Sequence, residues 1–312
     1  VVGERTGLAG LRDVRGAGGR AGGGALVDSV NASGREGARL LMGALGVPLR
    51  HVGDRDTGRF GRPPEPTAEN LAGLSAVAAE AGVAVGFAQD PDGDRLAVLD
   101  EAGRYIGEEY TLALAAESVL GAMGEAARGA VVVANLSTSR MVEDVAWRHG
   151  AVVARAPVGE ANVVAEMRAQ ARAGRRVVLG GEGNGGVIWP EVVLVRDSLG
   201  AMALVLALLA RTGRTVSELA AGVPRYAIVK RKVELRERAG VAGALARVSA
   251  ALAGEGAVVD QRDGVWVGRA AERWWVHVRA SNTEPIMRLI AEAPTEATAR
   301  GLLDRAGEAL AG

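Results

Sequence analysis

One order of elements is written twice in this sequence, and it restricts the fold more than any other feature: strand, turn, helix, glycine, helix, strand, polar loop. In the first copy Ala25-Leu26-Val27 is a short apolar run that reads as a buried strand. Residues 28–34 read as a turn, and Leu40, Leu41 and Leu45 fall at helical spacing before Gly46. A second helix is expected from near Thr67 to about Ala81, then strands at 83–88 and 95–100 around the loop 89–94. The second copy has a strand at 130–135, a Ser137-Thr138-Ser139 turn, a helix at 140–149 stopped by Gly150, and a helix at 161–173. A strand at 176–179 and the loop 180–186 complete it. Strands alternating with helices of this length imply mainly parallel sheets with helices on both faces. The reading is therefore two related α/β units, 25–123 and 124–223, alike in architecture more than in residue identity.

The flanks differ. Residues 1–24 are rich in Gly and Arg, carry no clear period, and read as a linker or the remnant of an upstream unit. Residues 224–312 show strands at 226–235, 258–259, 264–267 and 274–278 with helices at 240–254 and 295–310, which makes an α+β domain. At 312 residues two or three cores are expected, and the 3% aromatic content means they must be filled by Val, Leu, Ala and Ile.

Composition excludes several kinds of chemistry. Net charge is zero, so nothing favours nucleic acid or an anionic membrane. The absence of cysteine removes disulfides, thiolate catalysis and zinc–thiolate sites. The three histidines, His51, His149 and His277, lack metal-ligand spacing. The longest apolar run, 199–210, is shorter than the roughly 18–20 residues that span a bilayer. A cytoplasmic protein, monomeric or homodimeric, is the expectation. Lys230 and Lys232 are the only lysines, so cationic chemistry falls to arginine, which binds phosphate well and shuttles protons poorly.

Three loops carry the chemistry. In Asp90-Pro91-Asp92-Gly93-Asp94, alternate carboxylates after a buried strand can converge on one hard cation, Mg²⁺ or Ca²⁺. Arg95 at the sixth position and strand flanks exclude an EF-hand. Arg95 is placed to share a phosphoryl oxygen with the metal; an acidic turn balanced by Arg95 is the plainer alternative. The loop Gly180-Gly181-Glu182-Gly183-Asn184-Gly185-Gly186 allows close backbone approach, with Glu182 and Asn184 as acceptor and amide for sugar hydroxyls. It lacks the Gly-Lys-Ser/Thr of a P-loop, and a plain glycine-rich hairpin stays open. In Arg279-Ala280-Ser281-Asn282-Thr283-Glu284-Pro285, a guanidinium, two hydroxyls, an amide and backbone N–H groups make a phosphate cradle, to which Arg288 could add a second cation. The alternative is a capped turn. One ligand explains all three loops: a phosphorylated sugar.

These loops resemble those of the α-D-phosphohexomutases, the family of phosphoglucomutase, phosphomannomutase and phosphoglucosamine mutase. Asp90–Arg95 is similar to the family's metal loop, Gly181–Gly186 to its sugar loop, with Asn184 where many members have Ser, and Arg279–Pro285 to its phosphate loop. Arg62-Pro63-Pro64-Glu65-Pro66 and Pro157-Val158-Gly159-Glu160-Ala161-Asn162 are also family-like. The resemblance implies two three-layer α/β/α domains followed by a TATA-binding-protein-like α+β domain, corresponding to the family's second, third and fourth domains. It implies Mg²⁺ on Asp90, Asp92 and Asp94, charge stabilisation by Arg95, hydroxyl contacts from Glu182 and Asn184, and a phosphate held by Arg279, Ser281, Asn282 and Thr283. The family's first domain carries a phosphoserine in a Ser-His-Asn-Pro type of loop; here no histidine follows a serine. Ala161-Asn162 stands where many members carry a basic residue.

The expected function is thus intramolecular phosphoryl transfer between positions 1 and 6 of a glucosamine, glucose or mannose phosphate, through a hexose bisphosphate and a serine outside these residues. Two alternatives remain at this point: a domain-deleted phosphosugar-binding protein without turnover, and a metal-dependent phosphatase using the Asp cluster and water.

Overall fold

The computed structural model describes residues 23–234, 240–281 and 284–311. Most of the 1–24 segment, and Asn282 and Thr283, lie outside them. The chain forms two compact units, meeting in sequence at Pro224/Arg225.

The N-terminal unit holds two four-stranded sheets of identical plan. In the first, β1 (Ala25–Asp28) lies between β2 (Leu49–Val52) and β3 (Val85–Gln89), both parallel to it, and β4 (Leu96–Leu99) runs antiparallel to β3. The second sheet repeats the order: β6 (Val152–Ala156), β5 (Val131–Asn135), β7 (Val177–Glu182), then antiparallel β8 (Gly186–Ile188). Strands β1, β3, β4 and β5 are buried along their whole length, as strands covered on both faces must be, and their apolar runs follow from that. The doubled order of elements is the doubled sheet.

Helices α1 (Gly34–Leu45) and α2 (Ala72–Ala81) accompany the first sheet, and each ends at a glycine with positive φ, Gly46 and Gly82. The helix expected from Thr67 begins at Ala72, after a turn. Helix α3 (Glu109–Met123), grouped by sequence with the first unit, packs on α4 (Met141–Arg148), β7 and α6 (Ser198–Thr212). Helix α5 (Glu160–Arg172) covers β5 and β7. The apolar run at 199–210 is the buried body of α6, whose start is capped by the Asp197 side chain on Leu199 N (2.9 Å) and Gly200 N (3.1 Å). Short α7 (Val216–Ala221) follows with a Thr215/Glu218 capping box. Among the described residues no helix is long and apolar enough to cross a membrane.

The C-terminal unit is one antiparallel sheet in the order β10 (Val258–Asp260), β11 (Val265–Arg269), β12 (Trp274–Ala280), β13 (Ile286–Ala293), β9 (Ala227–Glu234). Helices α8 (Val241–Leu252) and α9 (Glu296–Ala311) cover one face, burying Val248, Leu252, Leu302 and Leu303 against Val265, Val276, Val278 and Leu289. The opposite face carries Trp266 and Trp275, stacked at 6.5 Å, and His277, fully buried, whose Nε2–H donates to the Asp263 carbonyl at 2.7 Å.

Burial pushes the His277 pKa below the ordinary 6.5 of an imidazole, against the opposing pull of the Asp263 carbonyl and the Asp263 and Asp260 carboxylates and with the help of Arg279. The folded unit therefore holds His277 neutral, while the unfolded chain takes up a proton below pH 6.5. Stability is expected to be flat with respect to this group above about pH 7.5 and to fall as the pH drops through 6.5. Thermal melts between pH 5 and 8 should show that slope in the wild type and a shallower one in His277→Gln.

Candidate functional site

The acidic loop leaves β3 and is folded back on itself by Asp90. Its Oδ1 accepts from Asp94 N (3.1 Å) and Arg95 N (3.0 Å), and its Oδ2 from Arg95 Nε at 2.7 Å. Burial raises the Asp90 pKa, but these hydrogen bonds and the Arg95 charge outweigh it and hold the carboxyl below its usual value. Asp90, Asp92 and Asp94 each offer a carboxylate oxygen, and these lie within 4.8 Å of one another. Asp94 is the strained member: burial, then the neighbouring Asp90 and Asp92 charges, push its pKa up to about 6 against the pull of Arg196. Its Oδ1 is buried and has no hydrogen-bond partner among the described residues. A hard cation would satisfy that oxygen and quench the repulsion, so the donor set fits a divalent metal.

The loop is braced from behind by buried polar groups. Arg62 donates to Asp28 Oδ2 (2.6 Å) and to the Gln89 carbonyl (2.7 Å). Gln89 Nε2 reaches Ser198 Oγ at 2.8 Å, and Ser198 donates through both N (3.1 Å) and Oγ (2.5 Å) to the Gly93 carbonyl. The first turn of α6 thus fixes the acidic loop. Of the prolyl segment 62–66, Arg62 braces the loop from behind and Glu65 lies 3.5 Å from Arg95.

The glycine-rich loop meets the acidic loop directly. Leu96 N donates to the Gly185 carbonyl at 3.0 Å, and Arg95 pairs with Gly186 as a β-bridge. Glu182 is almost fully buried: Oε1 accepts from Asn135 Nδ2 (2.7 Å) and Gly159 N (3.0 Å), and Oε2 from Arg196 at 2.8 Å. Asn184 caps the turn, its Oδ1 accepting from Gly186 N at 3.2 Å. Gly185 has φ +89°, and a Cβ there would sit 2.5 Å from the Leu96 carbonyl oxygen. Gly185→Ala is expected to destabilise the N-terminal unit by about 2–4 kcal/mol in urea denaturation. Gly46→Ala, at φ +67° in open space, should cost only about 1 kcal/mol.

In the C-terminal unit, Arg279 and Arg288 are direct cross-strand partners, and Arg288 is in turn paired with Lys232. Directly opposed residues share a face, so three cations stand in a row across β12, β13 and β9. Such a row is unfavourable without anions. Asp263 lies 3.6 Å from Arg279, and Glu284 lies 2.9 Å from Arg288 and 3.9 Å from Lys232. Buried Ser281 closes the loop, its N donating to the Ile286 carbonyl at 2.8 Å. Lys232 was not singled out from the sequence; that the only two lysines fall two apart on β9 was the available signal.

Within the N-terminal unit, then, Asp90, Asp92, Asp94 and Arg95 are brought together with Glu182 and Asn184, while Arg279, Ser281 and Arg288 form their own cluster in the other unit. The residue that joins the first two loops, Arg196, carries no sequence signal of its own. Its guanidinium bonds Asp94, Glu182 and Glu160 together, across as many as 102 residues of chain.

Two α/β units whose acidic and glycine-rich loops meet, followed in sequence by an antiparallel α+β unit with a cationic row, define a multidomain α/β protein. Residues 24–103, 107–226 and 226–309 match, in order, the α/β/α domain II, α/β/α domain III and C-terminal domain of phosphoglucomutase/phosphomannomutase. The chain belongs to the phosphoglucomutase/phosphomannomutase family. It is 37% identical over 282 residues to a phosphoglucomutase/phosphomannomutase of Thermococcus kodakarensis, covering 89% of this chain and 59% of the relative. It is 32% identical over 280 residues to a probable phosphoglucosamine mutase of Methanopyrus kandleri, with coverage of 89% and 59%. A solved family member from Burkholderia thailandensis superposes with TM-score 0.75 at 26% identity, over 96% of this chain and 63% of that one. The chain thus spans about three fifths of the length of the curated relatives it matches.

Proposed function

We propose that these residues supply the metal-binding and sugar-phosphate-binding parts of a phosphohexomutase, an isomerase that moves a phosphoryl group between positions 1 and 6 of a glucosamine, glucose or mannose phosphate. In this reading the donor phosphoserine would stand in a Ser-His-Asn-Pro type of loop, and none of the three histidines of this sequence follows a serine. The observation that carries the reading is the buried Asp94 Oδ1, which accepts no hydrogen bond among the described residues and lies 3.8 Å from Arg95 Nε, inside a three-carboxylate cluster that is joined, through Arg95 and Leu96, to the glycine-rich loop.

Asp90, Asp92 and Asp94 would hold Mg²⁺, which when bound neutralises phosphoryl oxygens. Arg95 is oriented by its Nε–H to Asp90 and by Glu65, 3.5 Å from a terminal nitrogen, and its guanidinium would meet charge developing on the phosphoryl group. Glu182 and Asn184 would take the hydroxyls at positions 3 and 4. Arg279, Ser281 and Arg288, with Asn282 and Thr283, would grip the phosphate that is not being transferred. A hexose bisphosphate would be the intermediate ligand.

Isothermal titration of the chain with glucose, mannose and glucosamine phosphates in Mg²⁺ tests this. Saturable binding that the unphosphorylated sugars do not show is expected, and the tightest of the three names the substrate. With a hexose bisphosphate activator the 312-residue chain is expected to give no interconversion of the 1- and 6-phosphates. Turnover by this chain, or absence of phosphosugar binding, contradicts the proposal.

A further inference from the structure

Arg196 lies outside every motif, yet its guanidinium is ion-paired with three carboxylates, those of Asp94, Glu160 and Glu182. It sits between the exposed loop 190–195 and the Asp197 cap of α6. Its backbone is fixed: Arg196 N donates to Glu160 Oε2 at 3.2 Å and Asp197 N to the Val187 carbonyl at 2.9 Å. Its side chain passes over Gly186, where a Cβ would lie 2.3 Å from Arg196 Cδ, so the glycine-rich loop is cut to let it through. Each guanidinium nitrogen then serves a different carboxylate: Nε the Glu160 Oε2 (3.1 Å), one terminal nitrogen the Glu182 Oε2 (2.8 Å), the other the Asp94 Oδ2. One planar group thereby fastens the metal loop, the sugar loop and the first turn of α5 together.

We propose that Arg196 is the positioning residue that couples these two loops, competing with a divalent cation for Asp94 and tightening on Glu182 when displaced. The inference rests on the metal site proposed above. Asp94 presents one oxygen to Arg196 and the other, which accepts no hydrogen bond among the described residues and lies 3.8 Å from Arg95 Nε, to the cluster. A cation on the cluster and the guanidinium on Oδ2 therefore share one carboxylate, and like charges so placed oppose each other. A guanidinium that loses its hold on Asp94 keeps Glu182 and Glu160, the two ligands on the sugar-loop side. Coupling of this kind is reciprocal: what weakens Arg196–Asp94 also changes the setting of Glu182, so cation and sugar affinities move together.

The experiment measures Mg²⁺ affinity by calorimetry, then hexose-phosphate affinity with and without Mg²⁺, for wild type, Arg196→Gln and Arg196→Lys. Gln removes the charge and is expected to tighten Mg²⁺ binding by about tenfold, with sugar-phosphate affinity no longer responding to Mg²⁺. Lys keeps the charge but holds fewer of the three carboxylates at once. It is expected to leave Mg²⁺ affinity near wild type while losing the coupling. Mg²⁺ binding to Arg196→Gln that equals or falls below wild type overturns the inference. If that variant does not fold, Arg196→Lys decides it: coupling that persists in the lysine variant overturns it. A wild-type chain that binds no Mg²⁺ fails the metal site itself, a separate outcome from a wild type that binds Mg²⁺ with no change on losing Arg196.

Discussion

With Asp94 replaced by Asn, the metal-free chain is expected to melt at a higher temperature than the wild type, and Mg²⁺ is expected to leave that temperature unmoved. In the wild type, burial and the Asp90 and Asp92 charges disfavour the ionised Asp94 carboxyl, lifting its pKa to about 6, so near neutral pH the fold carries a charge that its surroundings resist. Arg196 relieves part of this and cannot relieve all of it, because the other oxygen accepts no hydrogen bond among the described residues and has only the more distant Arg95 Nε, at 3.8 Å. An asparagine keeps an acceptor for Arg196 and removes the repulsion, which is the usual exchange of function for stability at a binding site. In the proposed metal site it also removes one of three carboxylates, and a loss of Mg²⁺ affinity of at least about a hundredfold is expected. Differential scanning fluorimetry of both proteins over a Mg²⁺ series checks the two statements together. A variant that is less stable without metal, or that still gains stability from Mg²⁺, contradicts them.

Arg279→Ala is expected to weaken hexose-phosphate binding by about tenfold to a hundredfold, the effect of losing a charge-assisted hydrogen bond of about 1.5–3 kcal/mol. Arg279 is the most buried of the cationic row, 14% exposed against 39% for Arg288 and 67% for Lys232. Its charge is correspondingly least screened. Because Arg279 and Arg288 stand directly opposite each other, removing one guanidinium also relieves a like-charge pair. The melting temperature of the variant is therefore expected to stay close to wild type while binding falls. Arg279→Lys should recover only part of the affinity, since a single ammonium cannot reproduce a bidentate fork. Titration calorimetry separates these effects; equal loss of stability and binding would mean that Arg279 is structural.

Much of this architecture was legible because its central strands are buried on both faces. Runs such as Ala25-Leu26-Val27 and Val131–Asn135 have no solvent side to mark with polar residues. Three edge strands, β2, β6 and β8, were not found, whereas the edge strands β4, β9 and β10 were. β2 is Leu-Arg-His-Val and only partly buried, β6 begins at exposed Val152, and β8 is three residues long. Strand β13 was hidden by its own alternation with charge, since Arg288 and Glu292 interrupt the apolar pattern. The acidic, glycine-rich and phosphate-type loops were legible because their residues are contiguous. What the loops do to one another was not. Arg196 reaches Asp94 across 102 residues, and Gln89 reaches Ser198 across 109, distances over which spacing carries no information. Lys232 joins Arg288 only through the register of β13 and β9.

The most direct measurement is a titration of the 312-residue chain with a hexose bisphosphate, in Mg²⁺ and again in EDTA, alongside Asp94→Asn and Arg279→Ala. The account predicts one-to-one binding in Mg²⁺ that is weakened by EDTA, by the loss of Asp94 and by the loss of Arg279. Absence of binding, or binding indifferent to EDTA and to both substitutions, would contradict it.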